Sequence, residues 1–115
     1  MTAVATETHQ VLTGISGGDR DFLAHAVGLR ESELEDSGLD ARTFALAKIA
    51  TLVALDAPPA SYLWQIGNAV GDGVTPEDIL GVLRAIAPQV GGPRVIAAAP
   101  EIMLALGLSL PEGME

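Results

Sequence analysis

Few side chains in this sequence have the type and spacing needed for acid–base, nucleophilic or metal chemistry. The chain has no cysteine, which excludes disulfides, thiolate nucleophiles and sulfur metal sites together. Its two histidines, His9 and His25, are isolated and cannot form a zinc site alone. Lys48 is the only lysine. We therefore expect no thiol chemistry, no metal site and no metal cofactor.

Three residues are candidates for proton transfer. His25 lies in a predicted helix and can donate a proton if that helix folds over a pocket; a surface histidine paired with Glu31 or Glu33 is the alternative. Lys48 lies on an apolar helix, where burial would favour its neutral form, but its stem can instead extend to a subunit edge. Tyr62 is either part of a pocket wall or an anchor in the core or an interface.

Four further residues are candidates for substrate binding. Trp64 and Gln65 can form an aromatic and polar wall for a small ligand, although a tryptophan in an aromatic-poor chain also serves packing. Ser61 has no histidine at matched spacing, so its hydroxyl favours hydrogen bonding near a helix N-terminus over nucleophilic attack. Arg42 can bind a ligand carboxylate or form a structural ion pair.

The composition predicts one all-α domain that associates with copies of itself. A chain of 115 residues fits a single domain. Of its residues, 49% are hydrophobic but only 3% are aromatic, which favours close packing of Ala, Leu, Val and Ile between helices. The positive mean hydropathy of +0.38 indicates more apolar surface than one small core can bury. We expect a homo-oligomer.

The net charge of -9 argues against two classes of partner. An acidic protein repels nucleic acid phosphates and anionic lipid headgroups, so we expect neither nucleic acid nor membrane as a partner. The first ten residues contain Glu7 and no basic or apolar signal region, and charged residues interrupt the longest apolar runs. These features predict a cytoplasmic protein without a membrane span.

The predicted domain is a compact bundle of five to six helices in residues 19–110. Residues 1–18, rich in Thr, Gly and Ser, are expected to be a flexible segment, and residues 111–115 a tail. Asp19 can cap a first helix that carries Phe22 to Leu29, and an acidic stretch can extend helix as far as Gly38.

The rest of the chain carries clear helix boundaries. Asp40 is a suitable N-cap for a largely buried helix that ends near Leu55, and Pro58-Pro59 can start the next helix, which runs to about Gly71. These two helices form the predicted central hairpin. Thr75-Pro76-Glu77-Asp78 predicts a helix start, and Gly91-Gly92-Pro93 separates the last two helices. Pro100 should kink or break the final helix.

Several short segments, taken together, resemble a known family. They are Leu39 to Thr43, the apolar helix through Leu55, Gly73 to Ile79, and Gly91-Gly92-Pro93. In this order and spacing, the chain from Leu39 to Pro93 resembles the carboxymuconolactone decarboxylase and alkyl hydroperoxidase D superfamily. The resemblance implies a small all-helical protein that forms a homo-trimer or homo-hexamer.

The same resemblance excludes the redox chemistry of the superfamily. Its redox members carry two cysteines and a histidine on one helix, and a glutamate on the helix before it. The corresponding positions are Pro58, Ser61, Gln65 and a position close to Ala45. All four are changed, so we expect no thiol peroxidase activity.

Two functional classes remain open. True carboxymuconolactone decarboxylases also lack the dithiol, and the resemblance implies cofactor-free proton transfer on an acidic lactone. The resemblance implies that such members depend on a histidine where this chain has Gln65, and glutamine cannot transfer a proton near neutral pH. The first hypothesis is therefore a protein that binds a small anionic metabolite, or acts on it without a cofactor by lyase or hydrolase chemistry. The alternative is a non-catalytic oligomeric scaffold or interaction protein that keeps only the family's assembly.

Overall fold

All regular secondary structure in the described residues is helical, as predicted. The computed structural model describes residues 3–19, 21 and 30–113, and within them there are six α-helices and no β-strand. Contacts divide the chain into two units, Met1–Gly38 and Leu39–Glu115. No helix in the described ranges is long and apolar enough to cross a membrane. The helices are α1 (Thr6–Ser16), α2 (Arg30–Ser37), α3 (Ala41–Leu55), α4 (Pro59–Gly71), α5 (Pro76–Val90) and α6 (Gly92–Ala105).

The first unit contains one helix that sequence reasoning did not anticipate. Helix α1 lies in the segment expected to be flexible, and none of its residues is buried; the flexibility of this segment stays a prediction. The acidic stretch forms α2, which ends before Gly38 at a φ of 71°, as expected for a glycine that stops a helix. The predicted helix from Asp19 through Phe22 to Leu29 falls on positions that are largely outside the described residues.

The second unit is a four-helix arrangement built around the α3–α4 hairpin. Helix α3 packs against α4 and α5, helix α6 packs against the same two helices, and α3 and α6 touch across the diagonal. Burial follows helical spacing, with Ala45, Ile49 and Val53 on α3 opposite a matching row on α4. One cluster holds the buried core: Ala45, Ile49, Val53, Tyr62, Ile66, Ala69, Val74, Ile79, Ala98 and Ile102.

The predicted helix starts are confirmed by their hydrogen bonds. The Thr43 N–H donates to Asp40 Oδ1 at 2.8 Å, so Asp40 caps α3. At the start of α5, the Asp78 N–H donates to Thr75 Oγ1 at 3.1 Å and the Thr75 N–H donates to Asp78 Oδ2 at 2.9 Å. This is a capping box, which satisfies two N–H groups that helix geometry leaves without partners.

These bonds also make the helix starts sensitive to acid. The bond from the Thr75 backbone holds the pKa of Asp78 below its ordinary value, and the bond from Thr43 does the same for Asp40. A carboxylate with a lowered pKa stabilises the folded state above its unfolded pKa of 3.8 and loses that contribution as the pH falls below it.

The hairpin turn places a non-glycine residue in the left-handed region. Asp56 has a φ of 53°, and its N–H donates to the Val53 carbonyl at 3.2 Å. The Ala57 N–H donates to the Leu52 carbonyl at 3.0 Å, which closes the end of α3. Helix α4 then begins at Pro59, where the missing proline N–H would have had no helical partner.

One expectation about burial needs correction, and one about continuity is narrowed. Helix α3 is not buried to its end, because Leu55 is 71% exposed and Ala47 is exposed. Helix α6 runs through Pro100 from Gly92 to Ala105, so the chain does not break there, and a kink at Pro100 stays a prediction. A proline inside a helix removes one backbone hydrogen bond, and the packing of Ala98 and Ile102 in the core offsets that loss.

An apolar flank of α4 faces solvent. Leu63 is 62% exposed and Val70 is 53% exposed, with Gly67 between them at helical spacing. On α6, Ile96 and Leu104 are 72% and 50% exposed. Side chains of this size are usually covered, so these surfaces support the proposal that the chain forms a homo-oligomer.

We predict that light scattering coupled to size exclusion will give a trimer or hexamer and no stable monomer at micromolar concentration. The variant Leu63→Asp, which places a charge on the apolar flank of α4, should shift the protein to smaller species. Gln89→Asp, at an exposed polar position of α5, is the matched control and should leave the mass unchanged. A folded wild-type monomer under these conditions would contradict the prediction.

We predict that Thr75→Ala destabilises the protein, because it removes the acceptor for the Asp78 N–H. Loss of an N-cap hydroxyl costs about 1 kcal/mol, which corresponds to a drop in Tm of about 5 °C. Thr51→Ala is the control, since its exposed hydroxyl bonds the Ala47 carbonyl within α3 and alanine is the better helix former. Equal Tm values for the two variants, at one protein concentration, would contradict the role of the cap.

Candidate functional site in the α3–α4 hairpin

One flank of α4 carries a row of polar side chains next to its core face. Ser61, Gln65, Asn68 and Asp72 follow one another at intervals of four, three and four residues, and each is half-buried. This spacing keeps them on one side of the helix. Trp64 is also half-buried and lies three residues after Ser61 and four before Asn68, so it borders the same row.

Lys48 is half-buried on α3 and packs against an aromatic ring. Its Nζ atom lies 4.5 Å from the centre of the Phe44 ring, one helical turn earlier. A cation over the face of an aromatic ring is attracted by the electron density of that face. The ammonium group is therefore held on the Phe44 side of α3.

Lys48 and Gln65 occupy equivalent positions on the two hairpin helices. Each directly precedes a core isoleucine, Ile49 or Ile66, and both isoleucines are fully buried about two turns from the hairpin connection. Because the two helices are right-handed and antiparallel, residues rotated by the same angle from the core face the same side of the pair. Helical geometry thus turns Lys48 and Gln65 to the same side of the hairpin. We call this side, between α3 and α4, the Lys48–Gln65 groove and take it as the candidate site.

Arg42 lies elsewhere and is already paired. Its guanidinium donates to Asp78 Oδ1 at 2.5 Å, which ties the first turn of α3 to the first turn of α5. Arg42 and Lys48 are six residues apart, or about 120° around the helix, so Arg42 faces α5 while Lys48 does not. Arg42 is also about 20 Å along α3 from the turn that leads to Ser61 and Tyr62. The ion pair therefore holds Arg42 against α5, away from the side of α3 that carries Lys48.

Tyr62 belongs to the core and has an acidic electrostatic environment. It is 2% exposed. Burial raises the pKa of its phenol above the ordinary value of 10.0, and the charges of Asp56 and Glu101 raise it further. The phenol therefore stays protonated at neutral pH and cannot act as a base. The two carboxylates also make its surroundings unfavourable for an anion.

The other predicted residues divide between the groove and positions that are not described. Ser61, Trp64 and Gln65 lie along the groove, and the Ser61 N–H donates to the Pro58 carbonyl at 3.0 Å in the first turn of α4. His25 lies outside the described residues. Within the ranges 3–19, 21 and 30–113, no group of three or more His, Cys, Asp and Glu side chains could hold a metal ion.

Sequence reasoning missed two members of the polar row. Asn68 and Asp72 continue the helical spacing that begins with Ser61 and Gln65. The sequence contained a signal for these two residues. A row of small and polar residues next to the apolar face of a helix predicts that the row is partly buried.

The fold and the groove define a small all-helical protein whose candidate site lies in a central helical hairpin. The sequence profile of the carboxymuconolactone decarboxylase family matches residues 20–102. The chain therefore belongs to the carboxymuconolactone decarboxylase family, which confirms the resemblance seen in the shorter segments. Comparisons with curated proteins and with solved structures found no match.

Three of the four positions that the resemblance matches to the superfamily's redox residues lie at or near the start of α4. Pro58 is the N-cap of α4, Ser61 lies in its first turn, and Gln65 is half-buried one turn later. The hydroxyl and carboxamide at these places form hydrogen bonds but do not exchange protons at neutral pH. None of these residues can therefore serve as a general base at neutral pH.

We predict that Tyr62 ionises above its ordinary pKa of 10.0 because burial and two nearby carboxylates oppose the phenolate. Tyr62 is the only tyrosine, so its titration can be followed by absorbance at 295 nm without overlap from other tyrosines. The folded protein should also lose stability as the pH rises above 10, since the unfolded state then releases the proton more readily. Tyr62→Phe should abolish the absorbance change, and a midpoint at or below 10 in the folded protein would contradict the assignment.

Proposed function

We propose that this protein binds a small anionic molecule in the Lys48–Gln65 groove. The proposal is supported by two features that helical geometry turns to the same side of the hairpin: the only lysine, on α3, and a row of half-buried polar side chains along α4. An anion between two helices needs a cation or several N–H and O–H donors to offset the loss of its hydration. Lys48 supplies the charge, and Ser61, Trp64 and Gln65 supply donors.

The same groove supports binding more strongly than catalysis. Gln65 stands where the family's proton-transferring histidine would be, and Tyr62 keeps its proton at neutral pH. Cofactor-free chemistry of the lyase or hydrolase type would then require Lys48, or His25 brought to the groove. We propose binding as the primary function, with acid–base chemistry on the bound molecule as its extension.

The exposed apolar flank of α4 supports a second candidate function. A protein that keeps only the family's assembly would use Leu63 and Val70 for association and would have no need of the polar row. In that case Gln65 and Lys48 would contribute to stability and solubility alone. The two functions predict different effects of the same substitutions.

We predict that Gln65→Ala and Lys48→Gln each weaken the binding of a small carboxylic acid, without changing the assembly. Loss of a hydrogen bond to a charged group is worth about 1.5–3 kcal/mol, or at least tenfold in affinity. Calorimetric titration of lactones and carboxylic acids measures this loss. Gln89→Ala, which removes an exposed carboxamide from α5, is the matched control. Binding that is equal in all four proteins, or absent from the wild type, would favour the scaffold.

A further inference from the structure

Three of the four side chains in the polar row have hydrogen-bonding capacity that the rest of the described chain does not use. The side chains of Ser61, Gln65 and Asn68 make no hydrogen bond to another described residue, although all three are half-buried. No fully buried side-chain nitrogen or oxygen in the described ranges lacks a partner, so their polar atoms remain open to solvent. Groups of this kind can bind a ligand without first breaking bonds within the protein.

The chemistry of the row is that of paired donors and acceptors. A carboxamide offers two N–H donors and a carbonyl acceptor, and a serine hydroxyl both donates and accepts. A carboxylate ligand has only acceptors and would leave half of this capacity unused. A ligand hydroxyl, in contrast, donates and accepts at one atom and so satisfies both kinds of group.

The spacing of the row fits several contacts to one small molecule. Gln65 and Asn68 are three residues apart, which separates them by about 4.5 Å along the helix axis on the same side of α4. Lys48 packs beside Phe44 on α3 and is a similar number of residues from the hairpin connection as Gln65 and Asn68. A ligand with one charged end can therefore meet the ammonium group while its neutral part runs along α4.

We propose that Asn68, together with Gln65 and Ser61, recognises the hydroxyl groups of the ligand, so that the groove selects a hydroxylated monocarboxylate over an unsubstituted one. This inference rests on the proposed function, because it assigns the charged end of the ligand to Lys48. It adds Asn68 as a binding residue and names the chemical class of the ligand.

Two six-carbon monocarboxylates test the inference by calorimetric titration of the full-length protein. D-Glucuronate carries hydroxyl groups and hexanoate has none, while their charge is the same. We expect glucuronate to bind at least tenfold more tightly than hexanoate. Asn68→Ala should weaken glucuronate binding about tenfold, as expected for the loss of one well-formed hydrogen bond, and leave hexanoate unchanged.

Two further variants separate binding from folding. Asn68→Asp keeps the size of the side chain but removes its donors and adds a negative charge, so it should weaken glucuronate binding more than Asn68→Ala does. Gln89→Ala should change neither affinity. Circular dichroism verifies that each variant retains its helices.

The outcomes distinguish this inference from the proposed function. If both acids bind equally and depend on Lys48, the proposed function stands and the inference is overturned. The inference also falls if Asn68→Ala leaves glucuronate binding unchanged. If neither acid binds to the wild-type protein, both the proposed function and the inference fail.

Discussion

The packing of two short apolar rows against each other determines how the rest of the second unit is arranged. Ala45, Ile49 and Val53 on α3 join Tyr62, Ile66 and Ala69 on α4 in one buried cluster. Apart from Tyr62, these side chains are small or aliphatic, and such rows pack closely only at one rotation of each helix. That rotation turns Lys48 and the polar row to one side of the hairpin and Arg42 to another. The packing of the core therefore determines which side chains could contact the same ligand.

The helix boundaries were predictable because they depend on neighbours in sequence. Asp40 and Thr75 cap helices through N–H groups three residues away, and Gly38 ends a helix by its own conformational freedom. Helix α1 was missed because its Thr- and Gly-containing sequence suggests weak helix propensity, although its apolar positions repeat at helical spacing. The exposure of Leu55 was missed because burial depends on which helices lie opposite, and composition does not contain that information.

The candidate site was predictable only in part for the same reason. The sequence identified Gln65, Trp64 and Ser61 through their place on the second hairpin helix. It did not separate Arg42 from them, because the ion pair with Asp78 joins residues 36 positions apart. Nor did it distinguish a core tyrosine from a pocket tyrosine. Tyr62 carries a polar group on a large apolar ring, and only its 2% exposure and its acidic neighbours decide its role.

The charge of the whole chain affects what the groove can select. With a net charge of -9, the protein repels any anion that approaches it, and its six basic residues, Lys48 among them, only partly offset that field. At physiological ionic strength, charges more than about 8 Å away are largely screened, so Lys48 dominates only at close contact. Attraction to a carboxylate is common to all anionic ligands and gives little discrimination among them. In the proposed site, selectivity would therefore come from the neutral hydrogen-bonding groups on α4, which respond to the shape of a ligand and not to its charge.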